Sequence, residues 1–109
     1  MLEDQIIKFL QPILDKYRLS WKRIITMPSI SDDFKTISML LKGDNLDVVI
    51  DMDIKIKDNR WYIENTKATI GIPEQKFGNQ IIIEKTKNKD DVLRALSLAI
   101  FKTRNLESI

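Results

Sequence analysis

Between residues 46 and 63 the chain alternates apolar and polar side chains with a period of two. Val48, Ile50, Met52, Ile54 and Ile56 share one parity, and Asp51, Asp53, Lys55 and Lys57 share the other. Successive side chains of an extended strand point to opposite faces, so this pattern belongs to a half-buried strand and not to a helix. Asp58-Asn59 then supplies a two-residue hairpin turn, because both residue types tolerate the left-handed backbone that such turns need. That turn length pairs Ile56 with Trp61 and Ile54 with Ile63 on the buried face. The run is therefore a β-ribbon whose even-numbered side chains go inward until the turn.

Past Ile63 the alternation slips. Asn65 and Lys67 would face the core while Ala68 and Ile70 faced out, so a β-bulge is expected near Asn65 to Lys67. Two further strands are expected at 19–27 and 34–42; in the second, Ile37, Met39 and Leu41 share a face opposite Thr36 and Ser38. In the first, Trp21 shares parity with Ile25 and Met27, which assigns all three to the core. Residues 28–33 and 73–79 read as loops, and Gly43-Asp44-Asn45 as a turn. Ile81-Ile82-Ile83 is apolar on both faces, the pattern of a covered or central strand.

Both ends read as helices. Over 3–17, Ile6, Leu10, Ile13 and Tyr17 recur at helical spacing, with Ile7 and Leu14 beside them. Pro12 removes the bond to the carbonyl of Lys8, so a kink or restart is expected near Gln11. Asn88 can cap a helix from about Lys89 to Arg104, with Asp90 and Asp91 in the first turn, where the dipole favours carboxylates. The order is αβββββα. The expected fold is a single α+β domain over 1–109, a two-layer sandwich. An antiparallel sheet of four or five strands is covered on one face by the two terminal helices, with the charged hairpin face in water.

The 109 residues include no cysteine and no histidine. Disulfides, zinc fingers, cysteine nucleophiles, histidine bases and Ser-His-Asp triads are excluded. Glycines stand only at 43, 71 and 78, which leaves no phosphate-binding glycine loop. The 18 basic and 16 acidic residues give a net charge of +2, too balanced to mark a nucleic-acid binder on charge alone. No apolar run approaches the ~20 residues that span a bilayer, and the first residues, Met1-Leu2-Glu3-Asp4, are acidic where a signal peptide is basic. The expectation is a cytoplasmic protein without membrane contact or cofactor.

Three constellations are candidate surfaces. In the last helix, Val92, Leu93, Leu96, Ala99 and Ile100 fill one apolar sector, while Leu98 and Phe101 fall outside it beside Arg94 and Asn105. Either the helix is wedged between sheet and first helix, burying both sides, or Arg94, Leu98, Phe101 and Asn105 form an interface. A basic set, Arg18, Lys22 and Arg23 early and Lys85, Lys87 and Lys89 late, could contact phosphates. An acidic set, Asp47, Asp51, Asp53 and Glu64, could hold a divalent metal, with Glu64 expected opposite Asp53.

The acidic set carries a resemblance. Asp47-Val48-Val49-Ile50 followed by Glu64-Asn65-Thr66-Lys67 resembles the restriction-endonuclease-like nucleases, whose motif is an Asp, a hydrophobic hairpin and then Glu-x-Lys. It covers about a quarter of the chain. The spacing here is Glu-x-x-Lys, and this chain shows no helix pattern between the hairpin and the next strand, where that fold has one. The resemblance implies a metal-dependent nuclease built on Asp47, Asp51, Asp53, Glu64 and Lys67.

The preferred expectation is a non-enzymatic binding or assembly module that self-associates through its C-terminal helix, or takes a protein partner there. Nucleic-acid binding at the sheet ends and the nuclease are the alternatives. Small size and the lack of catalytic motifs point to a viral or other accessory gene.

Overall fold

The computed structural model describes residues 2–28, 33–44, 46–71, 79–83 and 89–107; within these, the side chains of 28, 79–83 and 104–107 stand outside the description. The elements are α1 (Leu2–Tyr17), β1 (Ser20–Pro28), β2 (Phe34–Gly43), β3 (Leu46–Lys57), β4 (Arg60–Gly71), β5 (Asn79–Ile83) and α2 (Lys89–Glu107). The strands form one antiparallel sheet in sequential order, β1 to β5. Each strand pairs with its chain neighbour, so every strand connection in the sheet is local.

Ile56 pairs with Trp61 and Ile54 with Ile63, as the turn length requires. Asp58 and Asn59 have φ of 53° and 61°, the left-handed pair of a type I′ turn. Val48, Ile50, Met52 and Ile54 are buried beneath the helices, while Ile56 and Trp61 near the tip are half-buried.

The bulge in β4 lies slightly earlier than expected. Ile54 pairs with Ile63 but Asp53 pairs with Asn65, so the extra residue is Glu64. Parity recovers at once: Thr66, Ala68 and Ile70 are buried, and Asn65 and Lys67 are exposed. Asn65, not Glu64, therefore faces Asp53. A second irregularity falls at Lys22 in β1, between the pairs Trp21–Leu41 and Arg23–Leu40. It breaks the parity that assigned Trp21, Ile25 and Met27 to the core. Ile24 and Thr26 face the helices instead, opposite Met39 and Ile37. Trp21, Ile25 and Met27 are each nearly half exposed.

Both helices cover the same face. Ile6, Leu10, Ile13, Leu14 and Tyr17 of α1 and Val92, Leu96 and Ile100 of α2 complete one core with the inward residues of β2, β3 and β4. α1 runs unbroken through Pro12, whose ring points to the exposed side, so no restart occurs at Gln11. It ends at Arg18, which takes φ 53°, and Leu19 N–H donates to the Leu14 carbonyl at 2.9 Å. That bond caps the helix as in a Schellman motif, with buried Leu14 and Leu19 as its apolar pair. The Ile81–Ile83 strand is β5, at an edge of the sheet and not central. The expected cap Asn88 and the loop 73–78 lie outside the described residues.

Within this core the Thr66 hydroxyl is buried and makes no hydrogen bond among the described residues. It faces Met52 across the ladder. An unsatisfied hydroxyl costs about 1–3 kcal/mol, whereas an apolar group of the same shape does not. Thr66→Val should therefore raise the unfolding free energy by roughly 1 kcal/mol, read as a higher urea midpoint at unchanged slope. A lower midpoint would show that the hydroxyl is satisfied.

Candidate functional site: the groove between the two helices

α2 presents two sides. Val92, Leu96, Ile100 and Thr103 go to the core, and the Thr103 hydroxyl donates back to the Ala99 carbonyl at 2.9 Å. Leu98 and Phe101 point the other way and keep 54% and 51% of their surface in water. The helix is thus not wedged with both sides buried. Beside these two residues runs an open groove of about 540 Å³. Its floor and walls are Pro12, Ile13 and Tyr17 from α1 and Leu93, Leu98 and Phe101 from α2, with Lys16 and Arg94 at the rim.

One tyrosine ties the two walls of the groove together. The Tyr17 hydroxyl donates to the Ser97 carbonyl at 2.8 Å and lies 2.9 Å from the Ser97 hydroxyl. A buried phenol needs such a partner, and the bond ties the last turn of α1 to the middle of α2. The Lys16 ammonium lies 5.4 Å from the Tyr17 ring. Arg94 is largely exposed and reaches Asp91 one turn back at 4.0 Å, a solvated pair of little energetic weight. Arg94, Leu98 and Phe101 thus come together at one surface. Asn105 follows on α2, with its side chain outside the described residues.

The acidic set does not gather into a metal centre. Among the described residues no three carboxylates converge as metal ligands. Strand pairing separates them instead: Asp47 faces Lys42, Asp51 faces Ser38 and Lys67, and Asp53 faces Thr36 and Asn65. The Thr36 hydroxyl donates to Asp53 at 2.9 Å. Glu64 sits at the bulge, off the register of Asp53. The geometry that the nuclease resemblance implies is therefore missing at the described positions, and β4 and β5 are antiparallel neighbours separated by residues 72–78.

The basic set is scattered. Arg18 occupies the end of α1, Lys22 the β1 bulge and Arg23 the open sheet face opposite Leu40; Lys85 and Lys87 lie outside the described residues. Lys89 is engaged elsewhere. Its ammonium stands 3.4 Å from the centroid of the Trp61 ring, which Phe9 meets edge-on at 5.5 Å. Burial holds the Lys89 pKa below the usual lysine value.

A second surface escaped the sequence reading. The sheet face away from the helices is not simply charged, for Ile25, Met27, Phe34, Val49 and Tyr62 are exposed on it. The two-residue hairpin register, which pairs Lys55 with Tyr62, signals only one part of it. No helix among the described residues is long and apolar enough to cross a membrane. No family model, curated protein or solved structure matches this chain.

Proposed function

We propose that the chain is a non-enzymatic assembly module that self-associates by laying α2 of a second copy along the groove between α1 and α2. One observation carries this reading: Leu98 and Phe101 lie exposed side by side next to an apolar groove, on a helix already anchored by its opposite side. Fully burying a Leu or a Phe is worth roughly 1.5–3 kcal/mol, and about half of each side chain is still in water, so covering both would add roughly 1.5–3 kcal/mol per copy.

The spacing of α2 favours its own copy as the occupant. Asp91, Arg94, Leu98, Phe101 and Asn105 follow one another at alternating intervals of three and four residues, the repeat of a coiled-coil seam. Run antiparallel, the seam sets Leu98 against Phe101 of the second copy and Arg94 level with its Asn105. Apolar then meets apolar, and the two Arg94 side chains are kept apart. Run parallel, each Arg94 faces the other, which like charges oppose. The two-fold pairing is closed, so it yields a dimer and not a fibre. With this reading go a cytoplasmic location and an origin in a viral or accessory gene, both resting on the sequence alone.

The chain has no cysteine, so introduced cysteines report cleanly. Mixing Leu98→Cys with Phe101→Cys under mild oxidation should give the mixed disulfide in preference to either homodimer. Preferential homodimers would reverse the orientation, and a wild type that sediments as a monomer at high micromolar concentration would end the proposal.

A further inference from the structure

On the open sheet face, Phe34, Lys55 and Tyr62 stand in one row across three adjacent strands, since Lys55 pairs with Phe34 on one side and with Tyr62 on the other. We propose that this row binds single-stranded nucleic acid, with two bases stacked on Phe34 and Tyr62 and the linking phosphate over Lys55. Both rings are available, with 42% and 44% of their surface in water on the face that neither helix covers. Neighbouring strands lie about 4.8 Å apart, so the two ring positions are separated by roughly 10 Å with the ammonium between them. Aromatic faces accept any base, and a positive groove follows the backbone; a sheet that exposes aromatics beside cations meets both needs.

Charge sets where the strand can run. The next row toward the turn pairs Lys57 with Arg60, so three cations stand at this end of the face, with Asp58 at the turn, Asp33 beside Phe34 and Glu64 at the bulge after Tyr62 as the nearby carboxylates. Lys55 contacts the Phe34 ring only at long range, 5.9 Å from its centroid, and can exchange that contact for a phosphate. In the other direction the rows turn acidic. Asp53 already accepts a bond from Thr36, and Asp51 stands opposite Lys67. Those carboxylates repel a backbone and confine the site to the hairpin end, a footprint of a few nucleotides. A rigid duplex cannot present its bases to the rings, so single strands are favoured. The site lies on the layer opposite the α1–α2 groove and does not depend on self-association.

The test uses the full chain and a fluorescein-labelled ten-nucleotide oligothymidylate, followed by anisotropy between 50 and 200 mM salt, with a duplex of equal length beside it. With the linking phosphate over Lys55 and flanking phosphates over Lys57 and Arg60, the log–log salt slope should be near −2. Phe34→Ala and Tyr62→Ala should each weaken binding about fivefold or more, and Tyr62→Phe, which keeps the ring, should bind like the wild type. Lys55→Ala should reduce the slope by about 0.7. No single-strand binding at 50 mM salt with 100 µM protein, a preference for duplex, or affinities unmoved by either aromatic substitution in a folded variant would each overturn the proposal.

Discussion

Deleting Asp51 should unfold the protein, whereas deleting Glu64 should leave it folded. Neither carboxylate is part of the core, so side-chain loss alone would make the two deletions equally mild. Their backbones differ. Asp51 sits in β3, paired on both sides, opposite Ser38 and Lys67. Removing it makes Ile50 and Met52 adjacent, and a one-residue slip turns every later side chain to the other face. Either Met52 and Ile54 move into water and Asp53 turns toward the core, or Leu46, Val48 and Ile50 leave it. All five are fully buried. Exposing even two of them costs about 3–6 kcal/mol, a large part of a small domain's 5–15 kcal/mol. Absorbing the slip would need a new bulge in β2 and another in β4. Glu64, by contrast, is the extra residue that the strand register skips between Ile63 and Asn65. Its deletion removes the bulge and leaves the pairs Ile54–Ile63 and Asp53–Asn65 in place. Urea titration by circular dichroism distinguishes the two outcomes: a cooperative transition for the Glu64 deletion and none for the Asp51 deletion. A folded Asp51 deletion would mean that β3 does not set the register of its neighbours.

That asymmetry also explains how far the sequence could be read. β3 was legible because its register is enforced on both sides and one face is wholly buried, so its period of two survives undisturbed from Leu46 to Lys57. The bulge in β4 announced itself through the polar pair Asn65 and Lys67, but its position was blurred by one or two residues because Glu64 and Asn65 are equally suited to water. β1 was misread. It is an edge strand, so Lys22 can leave the ladder at little cost, and parity counted across that break put Ile25 and Met27 on the wrong face. Pro12 misled differently: a proline on the exposed side of a helix whose other side is packed can be tolerated without a restart, since tertiary burial outweighs one lost bond. The groove could be read only in part. Spacing identified Leu98 and Phe101 as lying outside the packed sector, but Pro12, Ile13 and Tyr17 join them through long-range packing in the shared core and the bond from Tyr17 to Ser97, neither of which a local pattern encodes. The open-face row could be read only in part: the hairpin turn pairs Lys55 with Tyr62, but the place of Phe34 depends on the β2–β3 register, which alternation alone does not supply.

Phe101→Ser should convert a dimer into a folded monomer. The core side of α2 is untouched by this change, because Val92, Leu96 and Ile100 keep their contacts and the Tyr17–Ser97 bond holds the helix against α1. What changes is the seam. About half of Phe101 remains to be covered in the isolated chain, and two copies are lost per dimer. Burial and the loss of its packing on Leu98 together come to roughly 2–4 kcal/mol, and the dissociation constant should rise by about 30- to 1,000-fold. Leu98→Ser/Phe101→Ser should remove association from the measurable range. Thermal unfolding at low concentration, where wild type and variant are both monomeric, should nearly coincide, because a half-exposed side chain contributes little within one chain. Sedimentation at several concentrations supplies the first reading and a melt at the lowest supplies the second. If the variant instead melts far below the wild type at a concentration where neither associates, Phe101 belongs to the chain's own packing, and α2 has no outward seam to share.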